Sequence, residues 1–440
     1  MPTAYTILFL LLILVAAATW IIPAGSYDYV DGVPVAGTYH TVEQNPQGVG
    51  DVLKAAFSGF YDAVDVCIFI LMVGGFLGVV MKTGAVDAGV GNVIRLLGGR
   101  EKWLIPILML LFGLGGTTYG MWEETMAFYP LLIPVFLAAG YDAVVGISVI
   151  LLGAGAGVIA STVNPFATGI AAGFAGVSLG EGIVLRLLEW VAFEAAAIWF
   201  VMAYAAKVKK NPSKSVVGVG AGKIQVSMDQ QVPFTAKRKV IMALFTLTFL
   251  IMVYAVVPFD EMGLSLPALG WWFPELSALF LVAGVVIGLI DRMSEEELVE
   301  TYVAGCADLL GVAFIIGISR GITVLMNDGA ITDTVLHWGE QALSGAGAIS
   351  FTLLVFALYL PLTILIPSSS GLATLSIPIV APLGKFAGVG GDLVVTAFQS
   401  ASGLVNIITP TAAVVMGALA LGHVPYDRWV KYVWKMILWF

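Results

Sequence analysis

The sequence predicts an all-α polytopic membrane protein, built as an inverted-topology repeat with two re-entrant helical hairpins and two broken transmembrane helices. Composition is the first reason: 59% of the 440 residues are hydrophobic, 11% are charged, and the mean hydropathy is +0.98, more apolar than a soluble domain needs. The second is a set of motifs that occurs twice, with Pro165 and Pro410 as one matched pair. The third is that each copy has two polar breaks in its apolar sequence. Within the bilayer, such breaks occur only where protein or water forms hydrogen bonds with the freed backbone groups.

Composition also narrows the function. The two cysteines, Cys67 and Cys306, lie in or near apolar segments and give no sign of a disulfide, a zinc site or a redox pair. The sequence has no Gly-x4-Gly-Lys-Ser/Thr motif, which argues against direct ATP coupling. The three histidines fall outside the predicted spans. We therefore expect no enzyme, no cofactor and no nucleic-acid partner.

The first half begins with the apolar run Tyr5–Ile22, predicted to be a retained transmembrane helix rather than a cleaved signal peptide. Residues 24–51 contain four acids and no Lys or Arg, so we expect them outside and the N-terminus in the cytoplasm. A span over Val64–Lys82 and a short interfacial helix over Val86–Leu97 follow. Residues 103–139 are predicted to form a re-entrant hairpin that enters from the cytoplasmic side.

A strongly basic segment divides the chain. The first broken helix, from Ala143 to about Ala175, is followed by a returning span over Ile183–Ala206. Residues 207–239 then hold eight Lys or Arg and one acid, which predicts a cytoplasmic linker. This linker separates a first half, 1–206, from a second half, 240–440.

The second half opens with two scaffold spans, Ile241–Val257 and Leu276–Ile290. The acidic segment Asp291–Glu300 is predicted to be an amphipathic element on the inner side. Leu309–Met326 then crosses outward. Residues 349–386 are predicted to form a second hairpin, which enters from the outer side.

The second broken helix, Leu393–Leu421, and a last helix from Arg428 complete a second repeat core, 294–440, that matches a first core, 52–206. One helix precedes the first core and two precede the second, so the two cores are predicted to have opposite orientations. The flanking charges agree, because the segment after the leading span is basic in the first core and acidic in the second. Inverted repeats of this kind are common in secondary transporters.

Five motifs carry a resemblance to a known family. They are Gly116-Thr117-Thr118-Tyr119-Gly120-Met121, Glu123-Glu124-Thr125 with Phe128-Tyr129-Pro130, Ser161-Thr162-Val163-Asn164-Pro165-Phe166, Pro367-Ser368-Ser369-Ser370-Gly371-Leu372-Ala373-Thr374 and Ile408-Thr409-Pro410-Thr411. Over nearly its whole length the chain resembles the YfcC branch of the DcuC-like family, named for anaerobic C4-dicarboxylate carriers. Members of that branch are commonly described as basic amino acid antiporters. The resemblance implies the ion-transporter superfamily fold, a homodimer through scaffold helices, and a chain that continues past Phe440.

The resemblance also implies a moving transport domain with two clamps, each made of a hairpin tip and a broken helix. Gly116–Gly120 would face Ser161–Asn164, and Ser368–Gly371 would face Ser402–Thr409. The candidate substrate-binding residues are Thr117, Thr118, Glu123, Glu124, Thr162, Asn164, Ser368, Ser369, Ser370, Asn406, Thr409 and Thr411. The candidate coupling-ion residues are Gly116, Gly120, Ser161, Asn164, Gly371, Ser402, Asn406 and Thr409. Na+ is the only metal expected, and the choice between Na+ and H+ stays open.

Charged residues at membrane depth are costly and commonly functional. Glu123 and Glu124 could hold the ammonium group of an amino acid or carry a coupling proton, or one of them could cap the returning helix. Arg320 could meet a substrate carboxylate, pair with an acid or extend to the outer interface. Glu194 lies in the middle of its span and is expected to face the scaffold interior.

Together these features predict a secondary active transporter in the cytoplasmic membrane, in contact with the lipid bilayer and with a small-molecule substrate. The expected substrate is a small carboxylate-bearing metabolite, foremost an amino acid, including a basic one, moved by exchange or ion coupling. The alternative is a C4-dicarboxylate, which would require more buried positive charge than Arg320 alone. A channel and an intramembrane enzyme are the alternatives from other classes.

Overall fold

The computed structural model describes residues 4–31, 33–86, 88–89, 100–178, 180–218, 233–256 and 265–439, most of which are α-helical. In the first half the helices are α1 (Ala4–Ala18), α2 (Val49–Asp62), α3 (Val64–Lys82), α4 (Leu104–Tyr119), α5 (Tyr129–Ala138), α6 (Ala143–Ile159), α7 (Ile170–Ala175) and α8 (Ile183–Lys210). In the second half they are α9 (Ala236–Val256), α10 (Phe273–Asp291), α11 (Glu295–Asp328), α12 (Thr332–Leu343), α13 (Ala348–Leu365), α14 (Ser369–Phe386), α15 (Gly391–Asn406), α16 (Ala413–Leu421) and α17 (Tyr426–Ile437).

Four of the described helices, α3, α10, α11 and α13, are long and apolar enough to cross a membrane. With 34 residues, α11 is about 50 Å long at about 1.5 Å per residue, longer than the roughly 30 Å of hydrocarbon. Its acidic first turn is capped by Ser294, whose Oγ accepts from the Glu297 amide at 3.1 Å. Most of the acidic segment Asp291–Glu300, which was predicted to be amphipathic and on the inner side, forms the first turns of α11.

The two repeat cores begin with equivalent elements. Together α2 and α3 cover Val49–Lys82, with Ala63 between them, the same length as α11. Helix α2 was not predicted from the sequence. A Cβ atom at Gly59 would lie 2.1 Å from the carbonyl oxygen of Gly317, and one at Gly74 would lie 2.5 Å from that of Gly305. From Gly59 in α2 to Gly74 in α3 the contact on α11 moves back from Gly317 to Gly305, so the equivalent helices run in opposite directions. The predicted inversion is thereby confirmed.

The two broken helices show the same relation. The side chain of Gln399 in α15 donates from Nε2 to the carbonyl oxygen of Val158 in α6 at 2.6 Å. Directly after the end of α15, the Ile407 side chain would lie 2.5 Å from a Cβ atom at Gly155 in α6. From Gln399 to Ile407 the contact on α6 moves back from Val158 to Gly155. Helices α6 and α15 therefore pack antiparallel.

The described helices pack in two groups. In the scaffold group, α11 packs on α1, α2 and α3, and α10 packs on α3 and α9. A stack of aromatic rings fills its interior, with the Phe76 ring centroid 5.6 Å from that of Phe245 and 5.2 Å from that of Phe280. In the transport group, α4, α8 and α15 pack on α6, while α13 and α14 pack on α15. The groups meet where α11 packs on α16 and where α3 meets the 3-10 segment Glu123–Phe128.

A small β segment follows α1. Strand β1 (Gly25–Ser26) pairs antiparallel with β4 (His40–Thr41), and β2 (Tyr29–Val30) pairs with β3 (Val33–Pro34). The segment is tied to α12, because the Tyr27 hydroxyl donates to Glu340 Oε2 at 2.8 Å and the Tyr29 hydroxyl donates to Asp333 Oδ1 at 2.8 Å. Burial, reinforced by the bond to Glu340, raises the pKa of Tyr27, so this phenol stays a donor throughout the physiological pH range.

Several predicted bounds differ from the observed ones. Helix α1 ends at Ala18 rather than Ile22, where the chain turns toward Pro23. The second break covers 407–412 rather than 402–411, because α15 continues to Asn406. The last helix begins at Tyr426 rather than Arg428. The interfacial helix predicted over Val86–Leu97 lies almost wholly outside the described residues.

Candidate functional site

The first hairpin tip is tied directly to the first broken helix. Thr117, near the end of α4, donates from Oγ1 to the carbonyl oxygen of Ala160 at 2.8 Å. In return, the backbone amide of Thr162 donates to the Thr117 carbonyl oxygen at 2.8 Å, and the Thr162 hydroxyl donates to the same oxygen at 3.0 Å. A carbonyl freed by the break is thus satisfied by the tip, as a break at membrane depth requires.

The approach between tip and break depends on two glycines. A Cβ atom at Gly116 would lie 2.3 Å from the carbonyl oxygen of Ala154, and one at Gly120 would lie 2.5 Å from Nδ2 of Asn164. Gly120 also has a φ of 78°, which favours glycine. Ser161 is fully buried, and its Oγ has no hydrogen-bond partner in the described part of the chain. The structure therefore brings together both sides of the first predicted clamp.

Thr117→Val is expected to lower the free energy of unfolding by about 1–3 kcal/mol, because it leaves the buried Ala160 carbonyl without its donor. Thr118 is the matched control, since among the described residues its Oγ1 donates only to the Leu114 carbonyl oxygen of its own helix, at 2.6 Å. Thr118→Val should stay within about 0.5 kcal/mol of the wild type. Thermal unfolding in detergent measures both variants, and equal losses would show that Thr117 does not hold the clamp.

The second hairpin tip is arranged differently. Ser368 caps α14, and its Oγ accepts from the backbone amide of Gly371 at 3.2 Å. Ser369 and Ser370 are half-buried beside it. Among the residues described, no hydrogen bond joins this tip to the second break. The second predicted clamp is thus not closed in the way the first one is.

Carbonyl groups of the second break are bound by other helices instead. From α17, Trp429 donates its Nε1 to the carbonyl oxygen of Ile407 at 3.1 Å, and the Tyr426 hydroxyl donates to that of Ile408 at 2.8 Å. From the scaffold group, the Ser319 hydroxyl donates to the carbonyl oxygen of Thr411. The second break therefore touches the scaffold directly.

Three buried oxygens lie along one face of α15. They are Oε1 of Gln399, Oγ of Ser402 and Oδ1 of Asn406, and none has a hydrogen-bond partner among the described residues. Their spacing of three and four residues places them on one side of the helix. Uncharged oxygens of this kind suit Na+. Ser402 and Asn406 were predicted as site residues from the sequence, whereas Gln399 was missed. The helical spacing of Gln399 from these two residues was the signal that could have identified it.

A cavity lies between the two groups of helices, beside the first tip and the start of α16. Its lining residues are Val66, Trp122, Glu123, Ile316, Ser319, Arg320, Pro367, Thr411, Ala412, Ala413 and Val414. The transport group contributes an acid, Glu123, and the scaffold group contributes a base, Arg320. The first backbone amides of α16 have no partner within the helix and give this end a partial positive charge. Of the predicted site residues, Glu123 and Thr411 reach this cavity.

The two adjacent glutamates have different surroundings. Glu124 is 6% exposed, and its Oε2 accepts from the backbone amide of Trp122 at 3.1 Å, which caps the 3-10 segment. Glu123 lines the cavity instead. Across the cavity, Nε of Arg320 lies 3.8 Å from Oδ2 of Asp62, a half-exposed acid at the end of α2. Such partly exposed pairs contribute little, so Arg320 keeps its capacity to bind a ligand.

Known proteins resemble this chain over its full length. The family model described as DcuC, C4-dicarboxylate anaerobic carrier, matches residues 1–440. A protein of Haemophilus influenzae strain Rd, described as uncharacterized, is 36% identical, with 99% of this chain and 94% of the relative covered. YfcC of Escherichia coli strain K12, named as a candidate basic amino acid antiporter, is 31% identical, with 98% and 92% covered.

Two solved transporter structures also align with the chain. The YdaH transporter of Alcanivorax borkumensis is 14% identical with a TM-score of 0.44, covering 99% of this chain and 95% of its own. Neisseria gonorrhoeae MtrF, described with a class of antimetabolite efflux pumps, is 17% identical with a TM-score of 0.43, covering 100% and 93%. From the family match and the identity to its relatives, the chain is a membrane transporter that belongs to the C4-dicarboxylate anaerobic carrier family.

Proposed function

We propose that this transporter carries an amino acid, a basic one included, across the cytoplasmic membrane by alternating access. One observation carries the proposal: Glu123 and Arg320, of opposite charge, line the same cavity from the two different groups of helices. An α-amino acid bears an ammonium group and a carboxylate a few ångströms apart, and each finds its counter-charge here. The name of the relative YfcC agrees with this substrate class.

In this proposal, each end of the substrate would bind a different charged side chain. The ammonium group would bind the Glu123 carboxylate at the tip of the first hairpin. The carboxylate would bind the guanidinium of Arg320, whose planar fork matches it in two hydrogen bonds. The first amides of α16 add further donors, because a half-helix N-terminus favours an anionic group.

A C4-dicarboxylate matches the charges that line this cavity less well than an amino acid does. It would bring two negative charges to a lining with one acid and one base among its described residues. Glu123 would then repel one carboxylate, and a like-charge contact of this kind costs several kcal/mol. The amino acid is therefore the better match.

The location of the cavity supports alternating access. Its walls come from α3 and α11 on one side and from the hairpin tips and the second break on the other. A ligand held between the two groups moves with whichever group shifts across the membrane. The oxygens of Gln399, Ser402 and Asn406 would hold a coupling Na+. We place the basic linker 207–239 and the N-terminus in the cytoplasm, and homodimer contacts on the scaffold group.

The test is thermal stabilisation of the purified protein by arginine, alanine, succinate and fumarate, each with and without Na+. A ligand at 100 times its dissociation constant stabilises by about 2.7 kcal/mol. We expect stabilisation by arginine or alanine and none by the dicarboxylates. Stabilisation by succinate or fumarate alone would overturn the amino acid proposal in favour of a dicarboxylate carrier.

A further inference from the structure

One of the buried acids outside the cavity between the two groups has no hydrogen-bond partner among the described residues. Glu194, near the middle of α8, is 2% exposed, and neither of its carboxyl oxygens has a hydrogen-bond partner among the described residues. It does not face the scaffold, as the sequence analysis expected, but packs inside the transport group. A buried carboxylate without a partner is costly unless it is neutralised.

Glu194 lies against the back of the first hairpin. A Cβ atom at Gly113 of α4 would lie 2.3 Å from Oε2 of Glu194. On the other side of α4, the carbonyl oxygen of Gly113 would lie 2.2 Å from a Cβ atom at Gly157 of α6. One helical turn after Gly113 comes Thr117, which binds the first broken helix. The acid is therefore one turn away from the contact that joins tip and break.

Among the described residues, the helices that pack on this part of α8 place no positive charge beside Glu194. Neither α4 between Leu104 and Thr118 nor α6 carries a titratable side chain. The contact with α17 lies further inward, where Phe200 packs on Tyr432 with ring centroids 4.8 Å apart.

The charged groups of α8 itself are also removed from Glu194. Arg186 lies about two helical turns before Glu194, and Glu189 lies more than one turn before it. The Oε2 atom of Glu189 accepts a hydrogen bond from the Ser400 hydroxyl at 3.4 Å. The lysines of the helix begin at Lys207, more than three turns inward. The indole Nε1 of Trp190, one turn away, also has no hydrogen-bond partner among the described residues. Within this environment, no described cation is placed to balance an ionised Glu194.

We propose that Glu194 is a proton-binding site of the transporter, occupied in this conformation and emptied when α4 moves away and water reaches the carboxyl group. The proton comes from water, forms an O–H bond with one carboxyl oxygen, and returns to water when the site opens. No oxidation or reduction is involved. As a coupling site this inference rests on the proposed transport function, whereas the presence of the bound proton does not.

Infrared spectroscopy of the protein in lipid tests the bound proton without any substrate. The wild type at neutral pH should show the carbonyl stretch of a protonated carboxylic acid, shifted in heavy water. Glu194→Gln, which mimics the neutral acid in shape and should fold, should lose that band. Glu189→Gln is the matched control from the same helix and should keep it. Identical spectra for the wild type and Glu194→Gln would overturn the proposal.

A second arm tests coupling with labelled arginine in proteoliposomes. If one proton is coupled to each arginine, an inward-directed proton gradient of one pH unit can concentrate arginine about tenfold inside the vesicles. Wild type and Glu189→Gln should show this accumulation, and Glu194→Gln should not respond to the gradient. Accumulation by Glu194→Gln equal to the wild type would overturn the coupling role. Because the infrared arm needs no substrate, it decides the proton site even if the amino acid proposal fails.

Discussion

Replacing Glu123 by glutamine is expected to weaken amino acid binding by at least about 30-fold. The change removes the negative charge that faces the substrate ammonium group in the cavity. Losing one partner of a desolvated charge pair costs about 2–5 kcal/mol, and about 2 kcal/mol corresponds to that factor. Titration of the thermal shift with arginine gives the dissociation constant for wild type and variant.

Glu124→Gln is the matched control for this prediction. Glu124 binds the backbone amide of Trp122 and not the cavity, and a glutamine oxygen can accept the same hydrogen bond. We therefore expect amino acid affinity within about threefold of the wild type and a stability loss of about 0.5–1.5 kcal/mol. If Glu124→Gln loses binding while Glu123→Gln keeps it, the assignment of the two acids is reversed.

Replacing Arg320 by glutamine is expected to have a similarly large effect, at least about 30-fold, because the substrate carboxylate loses its cationic partner. Arg320→Lys should recover part of the affinity, since lysine keeps the charge but not the planar fork. The same arginine titration measures both variants.

Asp62→Asn separates this effect from the neighbouring ion pair. The Asp62 side chain is 52% exposed, and its 3.8 Å pair with Arg320 should contribute at most about 1 kcal/mol. We expect this variant to bind arginine about as well as the wild type. Equal loss of binding in Asp62→Asn and Arg320→Gln would mean that the ion pair, and not a substrate contact, explains the result.

Much of the architecture could be predicted from the sequence because the structural repeat is visible as motifs that occur twice. The matched breaks around Asn164 and Asn406 predicted two broken helices, and both are present. The change of flanking charge predicted the inversion, which the two contacts Gly59–Gly317 and Gly74–Gly305 confirm. Polar residues within an apolar segment are energetically costly inside the bilayer. Their presence is therefore a strong indication of a broken helix with a functional role.

Other features could not be predicted, because they depend on which residues meet in space. Nothing in the order Glu123-Glu124 tells which acid caps the turn and which faces the cavity. Gln399 becomes a candidate site residue because α15 crosses α6 there and its amide nitrogen binds the Val158 carbonyl oxygen. Helix α2 escaped prediction because its apolar residues lie on one face only, with Val52 and Ala55 buried, so it does not read as a membrane span.

The most direct test of the central claim is counterflow of labelled arginine into proteoliposomes loaded with unlabelled arginine, alanine or succinate. We predict rapid, saturable uptake with an amino acid inside and little with succinate. Glu123→Gln and Arg320→Gln should abolish that uptake, because both residues line the cavity between the two groups. Uptake driven by internal succinate, or wild-type exchange by both variants, would contradict an amino acid site at this position.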